Sequence, residues 1–351
     1  MKKISSKIKS LDKYINEALY DKTNGYYSNK NPFGHNSDFL TSPIISVLFS
    51  EMLLIWTILF WKYLKCPKKF NYIELGAGNG EMMYQIITAS KKYPKFNKST
   101  NFFIYEKSEY LIKLQKKKLK NYNVTWINDF KKLKKNYNLF VGNEFLDAFS
   151  IKQFEKKNSV WFEKFIEEKN KVNEIKNIKV NIKNFEKKVD LNLSKDQNFI
   201  EFSRKQLSFC KEVSKILSKY KGGILLIDYG FNDGKMFNSL QSVKNHKKAN
   251  YLINKGSTDI THLVNFDLLK KIFKKHNLKV NNLATQRDFL SRMGIFERAN
   301  ILASNKSFLK KADIFYRLKR LTDKKEMGEV FKVFFASTKS IKFNYGFKNK
   351  C

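Results

Sequence analysis

From Tyr72 onward, short apolar runs alternate with stretches of helical period. The runs Tyr72–Leu75, Phe102–Tyr105, Val124–Ile127 and Leu139–Gly142 are bounded by turn residues, and Glu81–Ala89 and Glu109–Leu119 lie between them. Short apolar runs of this kind read as buried strands and the longer periodic stretches as helices, so the order predicts an α/β domain built on a parallel sheet. The pattern resumes with a strand at Ile224–Ile227 and a last one at Val330–Ala336. Between them, roughly Ser150 to Lys221 is rich in Lys, Glu and Asn. Its aromatic alternation at Gln153-Phe154 and Val160-Trp161-Phe162 predicts a hairpin, and its position predicts a substrate-facing insertion between the fourth and fifth strands.

Ahead of the sheet, Ile4–Tyr20 reads as helical, and Asn24-Gly25-Tyr26-Tyr27 and Asn31-Pro32-Phe33-Gly34 supply turn chemistry. The stretch Ile44–Trp61 is nearly all apolar and close to the ~20 residues of a bilayer span. Glu51 interrupts it, however, and a strand of the core follows directly, which predicts a buried helix and no membrane insertion. The chain divides into an N-terminal helical lid region (1–70), the first half of the core (71–149), the insertion (150–221) and the second half of the core with C-terminal helices and strands (222–351).

With 42% apolar and 15% aromatic residues, the 351-residue chain can bury a sizeable core. A formal charge of +37 would attract polyanions, but 63 of the 69 basic residues are lysine. Those lysines are scattered rather than gathered into a stripe, and phosphate sites favour the arginine fork. Compositional bias therefore accounts for the charge, and nucleic acid is not the expected partner. Cys66, Cys210 and Cys351 lack ligand or disulfide spacing, so no metal is expected. Lys7, Lys9, Asp12 and Lys13 break any apolar signal region, which argues against secretion; a cytoplasmic protein is expected.

The candidate chemistry starts at Ile73-Glu74-Leu75-Gly76-Ala77-Gly78-Asn79-Gly80, where a strand enters a glycine loop and then a helix. Such a loop brings backbone close to a nucleotide-like ligand at a helix N-terminus. Dinucleotide loops read GxGxxG, whereas this one reads E-x-G-x-G-x-G, a pattern that resembles class I methyltransferases. Glu74 would repel a pyrophosphate but suits S-adenosyl-L-methionine, whose amino-acid end and sulfonium are positive. Gly76, Gly78 and Gly80 form the loop, Glu106 at the next strand end can accept both ribose hydroxyls, and Asp129 can reach the adenine amine. A helix cap or a solvated strand end remains open for Glu106 and Asp129, and an NAD ribose for Glu106. Asn143-Glu144-Phe145-Leu146-Asp147-Ala148 ends the fourth strand, where Asn143, Glu144 and Asp147 face the methyl acceptor. A carboxylate such as Glu144 can pair bidentately with a guanidinium. Alternatively, Asn143 and Asp147 merely tie the loop down.

Together with Gly25-Tyr26-Tyr27, Asp38-Phe39-Leu40-Thr41-Ser42-Pro43, Asp228-Tyr229-Gly230, Thr258-Asp259-Ile260-Thr261, Thr285-Gln286-Arg287-Asp288-Phe289-Leu290 and Met327-Gly328-Glu329, these motifs resemble the MidA-type class I methyltransferases over nearly the whole chain. Ser37, Ile44 and Arg287 depart from that pattern. The resemblance implies a Rossmann-like fold, with Asp38, Thr41 and Pro43 on a loop that closes over S-adenosyl-L-methionine. It also implies an acceptor arginine on a protein, as in the mitochondrial assembly factor of respiratory complex I, and hence a complex I subunit as partner. Two other expectations are a nucleic-acid methyltransferase and a non-catalytic assembly chaperone binding through 150–221.

Overall fold

A parallel strand covered on both faces must be apolar at nearly every position, and the strands that meet this demand form the centre of the molecule. The computed structural model describes residues 7–29, 41–133, 136–169, 172–244, 247–253 and 255–348. Its strands are β1 (Lys7–Ser10), β2 (Phe70–Leu75), β3 (Thr100–Tyr105), β4 (Val124–Ile127), β5 (Tyr137–Asn143), β6 (Lys152–Lys157), β7 (Val160–Lys169), β8 (Val172–Val180) and β9 (Phe199–Phe202). Then follow β10 (Gly222–Phe231), β11 (Gln241–Lys244), β12 (Lys247–Lys248), β13 (Asp259–Thr261), β14 (Val264–Asn265), β15 (Leu278–Val280), β16 (Ala284–Thr285) and β17 (Phe331–Thr338).

The main sheet runs β15-β17-β10-β5-β2-β3-β4, with β14 alongside β10 and β16 alongside β17. From β10 to β4 all pairs are parallel, while β17 is antiparallel to β10. Period-two alternation divides the side chains between two layers. Leu225, Ile227, Val333 and Phe335 pack toward the helices Val47–Tyr63 and Glu81–Ser90 and the C-terminal helices. Ile224, Leu226, Phe334 and Ala336 pack toward Arg204–Tyr220 and Phe266–Lys275. Strand order reverses between β2 and β5, so the crevice at their carboxyl ends is where an open α/β sheet receives a ligand.

Between β5 and β10 the chain adds β6 to β9, which with the N-terminal β1 form a second sheet, β1-β7-β6-β9, with β8 on the other edge of β7. The β6–β7 turn is the pair Asn158-Ser159, both with positive φ (47° and 64°), the geometry of a two-residue hairpin whose twist suits its strands. The N-terminus differs from expectation: Lys7–Ser10 is a strand, antiparallel to Phe165–Glu168, and the helix begins only at Leu11. Local periodicity could not anticipate this, because the partner strand lies about 160 residues away.

The apolar Val47–Tyr63 helix is covered by other elements, and among the described residues no helix is long and apolar enough to cross a membrane. Its one carboxylate, Glu51, receives Arg298 through Nε at 2.8 Å and Nη2 at 2.9 Å. Its centre is Trp56, fully buried among Phe60, Phe289, Phe335 and Phe343, with Nε1 donating to the Tyr345 carbonyl at 2.9 Å. Replacing Trp56 by Ala empties this junction, and we expect urea denaturation to report a loss of about 3–5 kcal/mol.

Candidate active site

The glycine loop follows β2 and has to turn sharply without side chains in the way. Gly76 (φ 64°), Gly78 (φ 53°) and Gly80 (φ 81°) all sit in the left-handed region, and a Cβ on Gly76 would lie 2.8 Å from the Phe145 ring. The Gly76 N–H donates to the Tyr105 carbonyl at 3.0 Å, tying the loop to the end of β3, while Gly80 caps the Glu81–Ser90 helix. Glu74, one residue before the end of β2, is 2% exposed. Burial, with Glu106 as a neighbouring negative charge, pushes its carboxyl up to about 8. Its Oε2 has no hydrogen-bond partner among the described residues.

Glu106 begins the loop after β3. Its Oε1 accepts the N–H groups of Lys107 (2.8 Å) and Ser108 (2.9 Å), and its Oε2 accepts Gln115 Nε2 at 3.2 Å. Burial still raises its pKa against those donors. Gln115 also donates to the Gly78 carbonyl at 2.9 Å and accepts from Trp126 Nε1 at 2.9 Å, joining glycine loop and carboxylate through one amide. The sequence reading missed Gln115. The signal was its place in the row Leu111, Gln115, Leu119, the inward face of an otherwise lysine-rich helix, where all three are buried.

The loop after β5 carries Glu144 at φ 51°, a left-handed conformation for a non-glycine residue. Its neighbours are pinned by Asp228 in the carboxyl-terminal half of β10, which the sequence singled out without giving it a role. Asp228 Oδ2 accepts the N–H groups of Phe145 (3.1 Å), Leu146 (2.9 Å) and Asp147 (3.3 Å), and Oδ1 accepts that of Tyr229 at 3.0 Å. Burial first, then Asp147 and Glu144, drive the Asp228 pKa well above the carboxylate range. Glu144 is pushed up to about 8, mainly by burial and then by Asp147, against hydrogen bonds from Asn143 and the Ser42 backbone. Asn143 Nδ2 donates to Glu144 Oε1 at 3.0 Å, and Tyr229 donates its hydroxyl to Asp147. Burial also raises the Asp147 pKa. The tie-down reading thus fits Asp147, and Asn143 orients Glu144.

Two spaces open along this edge. The larger, about 650 Å³, is lined by Gly76, Gly78, Tyr105, Glu106, Glu144 and Phe145, with Tyr20, Tyr27 and Lys205 on the facing side. The smaller recess, about 40 Å³, is lined by Thr41, Pro43, Glu74, Asn143 and Glu144. Gly76, Gly78 and Glu144 border both. Tyr27 fastens the N-terminal segment here, donating to Asp259 Oδ1 at 2.9 Å while its carbonyl accepts the Ser108 hydroxyl at 2.7 Å. Not all expected residues converge. Asp129, two residues beyond β4, lines neither space and accepts the Lys131 N–H at 2.8 Å. Asp147 and Gly80 act behind the lining, and Asp38 lies outside the described residues. Among those residues no group of three or more His, Cys, Asp or Glu side chains could hold a metal.

Residues 52–284 match the family model described as S-adenosyl-L-methionine-dependent methyltransferase. Curated relatives include the Caenorhabditis elegans mitochondrial protein arginine methyltransferase NDUFAF7 homolog, 27% identical over 302 residues, covering 78% of this chain and 70% of that protein. The Homo sapiens mitochondrial protein arginine methyltransferase NDUFAF7 is 25% identical over 314 residues, covering 82% and 70%. A Burkholderia thailandensis structure bound to S-adenosyl-homocysteine shares the fold, with a TM-score of 0.80 at 21% identity over 97% of this chain and 89% of that one. These relatives do not favour a nucleic-acid enzyme or a non-catalytic chaperone. They overturn the cytoplasmic expectation, since they are mitochondrial by name. The glycine-loop signature, the strand order and the family match agree, and the chain belongs to the S-adenosyl-L-methionine-dependent methyltransferase family.

Proposed function

We propose that this methyltransferase modifies an arginine side chain on a protein. The observation that carries the reading is Glu144: a partly buried carboxylate on the loop after β5, bordering both spaces and oriented by Asn143. The names of the curated relatives, protein arginine methyltransferases, support it.

The residues fit the cofactor. Glu74 Oε2 is a buried oxygen without a partner among the described residues, suited to a positive ammonium or sulfonium, and Glu106 borders the larger space with a carboxylate suited to ribose hydroxyls. Gly76 and Gly78 let backbone come close, with Thr41 and Pro43 on the recess side. S-adenosyl-L-methionine supplies a methyl group on a sulfonium, open to in-line displacement with the thioether as leaving group. Glu144 would then hold the guanidinium by two charge-assisted hydrogen bonds, drawing positive charge toward the far nitrogens and leaving the near nitrogen more nucleophilic. After transfer, the added nitrogen proton passes to the Glu144 carboxylate or to water. Alignment and electrostatics supply the catalysis. In this reading the part of the N-terminal region that carries Tyr20, Tyr27, Thr41 and Pro43 closes over the cleft, 150–221 face the acceptor protein, and a respiratory complex I subunit is that acceptor.

Incubating the purified protein with labelled S-adenosyl-L-methionine and a cognate cell extract should put label on arginine of an extract protein; label found only in RNA overturns the proposal. The pH profile offers a second check. A guanidinium is charged throughout, so pairing requires ionised Glu144, whose carboxyl titrates near 8. At saturating cofactor, whose positive charge favours the ionised carboxylate, kcat/KM for the acceptor should therefore climb with pH and level off at or below about 8, a rise that Glu144→Gln abolishes together with roughly 100-fold or more of the rate. For the cofactor side, Gln115→Leu leaves the Gly78 carbonyl and Glu106 Oε2 without their donor. Calorimetry should show about tenfold weaker S-adenosyl-L-methionine binding, with circular dichroism unchanged.

A further inference from the structure

The most exposed large apolar side chains among the described residues are Phe308 at 83% and Leu309 at 78%, followed by Ile301 and Tyr316. They belong to two neighbouring helices, Ile295–Ala303 and Phe308–Thr322. The second helix buries Leu318, Leu321 and Thr322 inward, as an amphipathic helix should. It then carries another apolar stripe outward, Phe308, Ala312, Phe315 and Tyr316, at helical spacing. Phe296 and Phe315 line a groove of about 350 Å³ between the helices. Charge is concentrated on the same segment: residues 306–325 hold eight basic side chains and two acidic ones, and Lys310 directly follows the exposed Phe308-Leu309 pair.

We infer that this face seats the protein on an anionic bilayer surface, with Phe308 and Leu309 entering the acyl boundary and Lys306, Lys310, Lys311 and Lys319 meeting headgroup phosphates. A bilayer of that kind answers both features at once. A second copy would set the same lysines against each other across a two-fold axis, and an uncharged apolar protein surface would leave them unanswered. The seat adjoins the cleft: Arg317 Nη1, on the same helix, donates to the Ile45 carbonyl at 2.9 Å, and the Ser42–Ile45 turn includes Pro43 of the smaller recess. Seated this way, the Pro43 side of the cleft lies toward the membrane, favouring acceptors held there.

The test is co-sedimentation of the full chain with vesicles of phosphatidylcholine alone or mixed with phosphatidylglycerol. Binding should appear on the mixed vesicles and weaken with salt. The double variant Phe308→Ser/Leu309→Ser should lower the partition at least about tenfold while still binding S-adenosyl-L-methionine, and Lys187→Glu/Lys188→Glu, on a remote exposed helix, should leave it unchanged. Phe308→Trp gives an independent readout, a blue-shifted emission when mixed vesicles are added. The inference is overturned if the parent stays in the supernatant, if the double serine variant binds as the parent does, or if the emission of the Phe308→Trp variant does not move. It is likewise overturned if sedimentation shows a dimer that the serine substitutions dissociate without any vesicle binding.

Discussion

The active edge depends on one carboxylate that need not touch a ligand at all. Asp228, just beyond the stretch of β10 that pairs with β5, gathers three successive N–H groups of the neighbouring loop on a single oxygen. Buried amide hydrogens without partners are costly, so this one acceptor makes the tight Glu144–Asp147 turn tolerable and holds Glu144 in its left-handed conformation. The turn sets Phe145 against Gly76, where only a glycine leaves room for the ring. The glycine loop and the Glu144–Asp147 loop are therefore two halves of one fitted surface.

Around it the protein collects carboxyl groups at odds with its basic composition. Within a chain of net charge +37, Glu74, Glu106, Glu144, Asp147 and Asp228 are gathered at the carboxyl ends of β2, β3, β5 and β10, with burial raising every one of their pKa values. For Glu74 and Glu144 the folded pKa lies above the unfolded one, so the fold binds more protons than the unfolded chain between the ordinary carboxylate range and about 8. The stability these groups contribute is complete at low pH and is lost as pH rises through that window. A cationic ligand reverses the sense, because it favours the ionised form. The site is thus built to be relieved by positive charge, the property shared by a sulfonium, an ammonium and a guanidinium.

Arginine is used sparingly and to purpose. Five of the six lie between Arg287 and Arg320, and four of these clamp the C-terminal helices: Arg298 on Glu51, Arg287 on the Thr322 carbonyl, Arg292 on that of Gly346, and Arg317 on that of Ile45. Where lysine serves for general charge, the planar fork is kept for contacts needing fixed direction. These clamps hold the helices that present Phe308 and Leu309.

Much of this was written in local order. The apolar runs at Tyr72–Leu75 and Ile224–Ile227 had to become central strands, because strands covered on both faces need no polar positions. The glycines from Gly76 to Gly80 had to become a loop, because their spacing after Glu74 leaves little else. Three matters were decided only by the tertiary structure. Lys7–Ser10 became a strand because β7 offers it a free edge far away in sequence. Asp129 turned away from the cleft although its counterpart Glu106, at the next strand end, lines it. Gln115 and Asp228 gained their roles from partners 37 and about 82 residues away. Periodicity reports which face of an element is apolar; which polar atom meets which across the sheet edge depends on distances the chain acquires only by folding.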